Sequence, residues 1–191
     1  NTSGVDNTAN GYQALYSNTT GDYNTANGYQ ALYSNTTGDR NVASGRIALH
    51  SNTTGSYNTA IGFRTLEDNT SGNDNTAIGY DALRNNTTGN NNTGVGKTVL
   101  QFNSSGNYNT AIGYRALRLN QTGDGNTAIG YLTDVASGTL SNATAIGYGA
   151  IVTASNTIQL GNSNVTLVQT SGTISATAFV GDGSGLTNIG S

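Results

Sequence analysis

Hydrophobic and polar positions along this chain recur with a fixed period of 17 residues. A tiny residue, an aliphatic one and a glycine come together, as in Ala77-Ile78-Gly79, and an alanine and a leucine follow within four places. The first glycine falls at Gly11, Gly28, Gly45, Gly62, Gly79, Gly96, Gly113, Gly130 and Gly147, and the leucine at Leu15, Leu32, Leu49, Leu66, Leu83, Leu100 and Leu117. A second glycine closes each unit at Gly21, Gly38, Gly55, Gly72, Gly89, Gly106 and Gly123. Written out, the unit is N-T-A-I-G-Y-x-A-L-x-x-N-T-T-G-x-x.

Helical repeats need about 33 residues or more, since two helices and their turns must fit. A 17-residue unit fits one coil of a β-solenoid instead, with two short strands and two turns. The pattern predicts strands at Thr-Ala-Ile before the first glycine and at Tyr-x-Ala-Leu after it. The Asn-Thr-Thr-Gly segment predicts a turn, because glycine supplies positive φ at little cost and asparagine bonds its own backbone. About eleven coils stacked at roughly 4.8 Å would make a rod on the order of 50 Å tall. The array is expected over residues 1–161 and a looser fibre or neck segment over 162–191. Asn1-Thr2-Ser3-Gly4 matches the end of a unit, compare Asn69-Thr70-Ser71-Gly72, so the array is expected to begin in mid-repeat with further coils upstream.

The residue before the first glycine reads Asn10, Asn27, Ser44, Ile61, Ile78, Val95, Ile112, Ile129 and Ile146, and the one before that is always alanine or glycine. Adjacent strand residues face opposite sides, so one side is sterically tight and the other tolerates a change from Ile to Asn. Two readings of the tolerant side stand. Rings of Asn10 and Asn27 face an axis shared between chains and hold water or an anion, or they form hydrogen-bonded asparagine ladders inside the roll.

Composition changes the picture in two ways. A typical coil offers only Ile78, Tyr80 and Leu83 as large apolar anchors. Burying each is worth ~1.5–3 kcal/mol, against ~1–2 kcal/mol for fixing each backbone residue. Association between chains is therefore expected. Charged residues make up 9% of the chain, with seven Lys and Arg and a net charge of −3, so there is no basic stripe for a nucleic acid. No apolar run approaches the ~18–20 residues of a spanning helix. Cysteine is absent, which removes disulfides and thiolate metal sites, and no signal peptide is visible in a chain that starts at Asn1.

Candidate chemistry is sparse, and no catalytic residue, cofactor or metal site is expected. His50 is the only histidine, too few for a histidine-based triad or multi-histidine metal site within one chain. Glu67 and Asp68 are adjacent and unrepeated, and nothing pairs them with another acid at glycosidase spacing. Gly181-Asp182-Gly183-Ser184-Gly185 lacks the lysine of a phosphate loop and the spaced acids of a calcium loop. An Asn-x-Ser/Thr sequon recurs in register at Asn18, Asn35, Asn52, Asn69, Asn86, Asn103 and Asn120, and follows automatically from the repeat. Thr19, Thr36 and Thr53 are expected to stack along one edge, like the threonine arrays of ice-binding solenoids. Tyr16 and Tyr33 are candidates for a surface-binding stripe, or for packing.

These repeats resemble the head repeats of YadA-type trimeric autotransporter adhesins, which carry an N-x-x-A-I-G core. The pattern covers residues 7–161, and Ala143-Thr144-Ala145-Ile146-Gly147 followed by Asn156-Thr157-Ile158-Gln159-Leu160-Gly161 is the closest passage. The N-T-T-G variant is similar to repeats of phage and viral fibres and large surface proteins, and residues 174–188 resemble a segment common in phage tail fibres. The resemblance implies an all-β, left-handed parallel β-roll, homotrimeric about one axis. The expected function is a rigid extracellular, cell-surface or virion fibre shaft, able to join end to end, that presents an adhesive tip. An adhesin head that binds host matrix or glycan directly is the alternative.

Overall fold

The computed structural model describes residues 2–171 and residue 175. They form a parallel β-solenoid without a helix. Ten three-residue strands stack in register into one sheet: β1 (Thr8–Asn10), β2 (Thr25–Asn27), β3 (Val42–Ser44), β4 (Thr59–Ile61), β5 (Thr76–Ile78), β6 (Thr93–Val95), β7 (Thr110–Ile112), β8 (Thr127–Ile129), β10 (Thr144–Ile146) and β12 (Ile158–Leu160). β9 (Asp134–Val135) and β11 (Ile151–Val152) pair separately, also in parallel. Each strand meets its equivalent one coil on, so Ala60 pairs with Ala77 and Ile61 with Ile78.

The expected second strand, Tyr-x-Ala-Leu, is not a strand in the 17-residue coils. It is a turn in which the second and fourth residues after the glycine take left-handed φ, for example Arg64 at 55° and Leu66 at 52°. A third such residue, Asp74 in the next turn, lies at 57°. A left-handed non-glycine residue costs roughly 1–2 kcal/mol. Two gains offset it at the leucine. Its side chain is fully buried in every coil from Leu32 to Leu117, and its N–H donates to the next coil, as Leu32 N does to Ala48 O at 3.0 Å. A left-handed backbone disfavours β-branching, and the seven residues of this row are all leucine. At Ile151 a β-branched residue finally appears, and there the chain is a strand, β11. The left-handed leucine position is already replaced one coil earlier, at Asp134 in β9, and the last coil, 14 residues from Gly147 to Gly161, keeps a left-handed residue only at Gly149 (φ 63°) in this turn.

The interior is narrow. Alanine from β2 to β5, β7, β8 and β10, a small residue three places after the glycine and the leucine fill it, with Gly94 standing for alanine in β6. Two rows of fully buried asparagine complete it. One begins at Asn24, Asn41 and Asn58, and the other at Asn35, Asn52 and Asn69. In the first row each side-chain oxygen takes the N–H of the asparagine one coil on (Asn58 N to Asn41 Oδ1, 3.0 Å), while Nδ2 donates to a turn carbonyl (Asn58 Nδ2 to Gly72 O, 2.8 Å). In the second row amide donates to amide, as Asn69 Nδ2 does to Asn52 Oδ1 at 2.8 Å. Both rows converge on the same glycine carbonyl, since Asn69 Nδ2 also donates to Gly72 O at 3.0 Å. These glycines are obligatory for space: a Cβ on Gly72 would collide with Gly89 O and Asn69 Oδ1.

Candidate functional site

The outer surface consists of columns of equivalent residues running along the stack. The tight side of each strand faces inward, with Ala26, Ala60, Ala77 and Ala111 fully buried. The tolerant side faces out. Asn10 and Asn27 are exposed and joined side chain to side chain, Asn10 Nδ2 donating to Asn27 Oδ1 at 3.4 Å. They head a column that continues through Ser44 into Ile61, Ile78, Val95, Ile112, Ile129 and Ile146, where the five isoleucines keep 37–42% of their surface exposed. A polar stretch thus passes into an aliphatic one on a single face.

A ring-and-cation column flanks it. Tyr12 stacks on Tyr29 at 5.4 Å, the Arg46 guanidinium lies 5.6 Å from Tyr29 and 5.4 Å from Phe63, and Phe63 stacks on Tyr80 at 5.2 Å. Lys97 sits 5.4 Å from Tyr80, and Tyr114, Tyr131 and Tyr148 close the row at 5.1 and 5.4 Å. Cations replace rings here without breaking the column, because a cation is attracted to an aromatic face.

The candidate stripe of Tyr16 and Tyr33 lies around the left-handed turn. The two rings stack at 5.4 Å and 4°, and His50 stacks on Tyr33 at 5.2 Å and 4°. Stacking covers both faces of Tyr33 and one face of Tyr16, leaving the ring edges exposed. Thr19, Thr36 and Thr53 form a column of their own, and each hydroxyl donates to the carbonyl one coil on (Thr19 Oγ1 to Thr36 O at 2.8 Å, Thr36 Oγ1 to Thr53 O at 2.9 Å, Thr53 Oγ1 to Thr70 O at 3.0 Å).

Charge clusters at one level. Glu67 accepts from both Arg64 Nε and Arg84 Nε at 2.8 Å, and Arg64 lies 3.9 Å from Asp81 Oδ1, an otherwise unpaired buried oxygen. Burial pushes the Glu67 carboxyl up, but the hydrogen bonds from Arg84 and Arg64 outweigh it and hold the group below its ordinary value. Asp68 is raised by burial and by the Glu67 charge. No second acid faces Glu67 across a cleft among the described residues; its partners are cations.

Asp134 opens β9, at the position that leucine fills in the earlier coils. Burial pushes its pKa up to about 6, against the lowering effect of the Val135 and Leu119 N–H groups that it accepts at 2.9 and 3.2 Å. A concavity of about 480 Å³ lies beyond it, lined by Ile146, Tyr148, Leu160, Val165, Leu167 and Val168. The Gly181–Gly185 segment and most of the tail-fibre-like stretch lie outside the described residues.

The spacing predicts the Asn-Thr-Thr-Gly asparagines as turn residues that bond their own backbone, as Asn35 Nδ2 does to Gly38 O at 2.9 Å, but it does not predict their burial. The sole signal of that burial was recurrence, and it was the same recurrence that produced the sequons. The seven sequon asparagines that recur in register with the repeat are all buried, with their amides engaged in the second internal row. No helix among the described residues is long and apolar enough to cross a membrane. No known protein-family model matches the chain, and no curated protein matches it.

Proposed function

We propose that this chain is a section of a rigid fibre shaft, a left-handed β-roll that assembles as a homotrimer through its three-residue-strand sheet and works outside the cell or on a virion. The observation that carries this reading is the outward isoleucine column. Fully burying an isoleucine is worth ~1.5–3 kcal/mol. With about two fifths of each of five isoleucines exposed, covering the column would add roughly 3–6 kcal/mol per chain. The column is straight and one residue wide, which suits a copy of itself better than a globular partner. The polar Asn10 and Asn27 end would then bring three pairs of amides together around the axis, a setting for water or an anion.

The role is mechanical, with no catalytic step assigned. Coil-to-coil bonds at nearly every level cover each strand edge except at the ends, which is how a solenoid resists unravelling. Direct adhesion to host matrix or glycan is the second reading, and the exposed tyrosine edges are what favour it. Ice binding is weakened by the threonine hydroxyls, which are already committed to carbonyls.

Light scattering on the purified chain tests the assembly. Three times 19.5 kDa is expected, and Ile112→Lys should reduce it to the monomer mass while preserving the β spectrum. A wild-type monomer at micromolar concentration would overturn the trimer. Retention of the fragment on a glycan array or on matrix proteins would move the role from shaft to adhesin.

A further inference from the structure

Seven of the eleven tyrosines stand in stacked pairs one coil apart, and four do not. The pairs are Tyr12–Tyr29 (5.4 Å, 15°), Tyr16–Tyr33 (5.4 Å, 4°), Tyr114–Tyr131 (5.1 Å, 23°) and Tyr131–Tyr148 (5.4 Å, 3°). At least one ring of every pair is well exposed, Tyr12, Tyr16 and Tyr148 most of all. The other tyrosines lack a phenol partner. Tyr23 and Tyr57 sandwich the Arg40 guanidinium at 5.1 and 5.3 Å, Tyr80 has Phe63 on one side and Lys97 on the other, and Tyr108 stacks on no ring among the described residues.

We infer that the paired columns are dityrosine-forming sites, at which a one-electron oxidant staples successive coils of the same chain. The chemistry needs two phenols held together for longer than a radical survives. Each tyrosine gives one electron to the oxidant and the proton of its hydroxyl to water, leaving a phenoxyl radical with spin on the ortho carbons. The two radicals join through those carbons. The ortho hydrogens then move to oxygen, restoring both phenols. The balance is two C–H bonds broken and one C–C bond formed, with two electrons and two protons released. The oxidant is of the peroxidase class, or a photogenerated metal complex. In-register stacking places like carbons of the two rings over one another. Because the outer ends are open to solvent, the rings can turn out of the stack as the bond forms. The fold also insulates the pairs from each other: Arg46 separates Tyr29 from Phe63, and Lys97 separates Tyr80 from Tyr114. Each pair lies within one chain, so the inference holds whatever the number of chains in the assembly.

The test is brief illumination of the whole folded chain with tris(bipyridyl)ruthenium(II) and persulfate, followed by dityrosine fluorescence and tryptic peptide mapping. The expected links are 12–29, 16–33, 114–131 and 131–148. The 114–131 link is diagnostic, because it joins two tryptic peptides, and the one containing Tyr114 also contains Tyr108 as an internal control. Tyr131→Phe keeps the stack and removes both links that share Tyr131, of which one chain forms one, so the dityrosine yield should fall by about a third, from three links per chain to two. Tyr108→Phe should leave it unchanged. Links at Tyr23, Tyr57 or Tyr108, an undiminished yield from Tyr131→Phe, the same link pattern from urea-unfolded chain, or links between chains only would each overturn the inference.

Discussion

Replacing Asn75 by alanine should unfasten the middle of the array. Its side chain is fully buried and makes four hydrogen bonds. Nδ2 donates to Asn58 Oδ1 (3.0 Å) and Gly89 O (2.8 Å), and Oδ1 accepts from Asn92 N (3.0 Å) and Asn92 Nδ2 (3.1 Å). Three of the partners keep a second bond. Asn58 Oδ1 still has Asn75 N, Gly89 O still has Asn86 Nδ2, and Asn92 Nδ2 still has Gly106 O. The Asn92 N–H alone is stranded. A stranded buried donor costs ~1–3 kcal/mol and each of the three ordinary bonds lost ~0.5–1.5 kcal/mol, so the loss should be about 3–7 kcal/mol. Ala143, which stands in this same row, marks its end: its N–H still donates to Asn126 Oδ1, but its methyl offers the next residue of the row, Thr157, no side-chain acceptor. The assay is urea unfolding followed by circular dichroism. Repeat arrays can lose two-state behaviour, so exchange at the Asn92 amide is the local readout. A loss below about 1 kcal/mol with Asn92 still protected would refute the reasoning. Asn27→Ser, which copies Ser44 in an exposed column, is the control and should shift stability by less than ~0.5 kcal/mol.

Leu83→Ile should cost about 1–3 kcal/mol, because a β-branched residue is forced to φ near 50°, whereas Leu83→Met should cost less than ~1.5 kcal/mol; paired melts decide. Thr98 already carries that penalty at φ 54°, and Thr98→Asn should raise stability by up to ~1 kcal/mol in urea titrations. Asp134, raised to about 6 in the fold from ~3.9 unfolded, contributes stability that is complete below the unfolded value and is lost as pH rises through 6. With solvent contact allowed for, the swing should be about 2 kcal/mol, and Asp134→Asn should abolish it in melts between pH 4 and 7. Asn75→Asp sets a carboxylate against two acceptors, so its defect should deepen with rising pH above ~4, the opposite of ordinary acid unfolding.

Much of this was legible in the residues, and the exceptions have physical causes. The period, the in-register strands and the inward alanine all follow from spacing and size. Tyr-x-Ala-Leu looked like a strand because its apolar residues suit one, and propensity does not anticipate left-handed φ at leucine. The clue lay in what the row avoids: no Ile or Val until residue 151. The buried asparagines were hidden for the opposite reason. Hydropathy assigns Asn-Thr-Thr-Gly to an outside turn, yet stacking supplies each amide with partners that no single coil contains. The outward columns could be read as positions, while the commitment of the threonine hydroxyls and the covering of the tyrosine faces depend on distances between coils.

The two asparagine rows also bear on how such a chain changes length over generations. Residues 7–22 and 24–39 are identical, and each coil offers its successor the donors and acceptors that it received. Removing one unit would set Asn41 against Asn75 and Leu49 against Leu83, with the bonds of both asparagine rows remade and the glycine carbonyls still in step. Unequal recombination between such similar stretches of gene would therefore add or delete roughly 4.8 Å of rod per event without a misfit to be repaired. Length becomes a trait that selection can adjust in whole coils, while a shift of one residue in the frame would break all the columns at once.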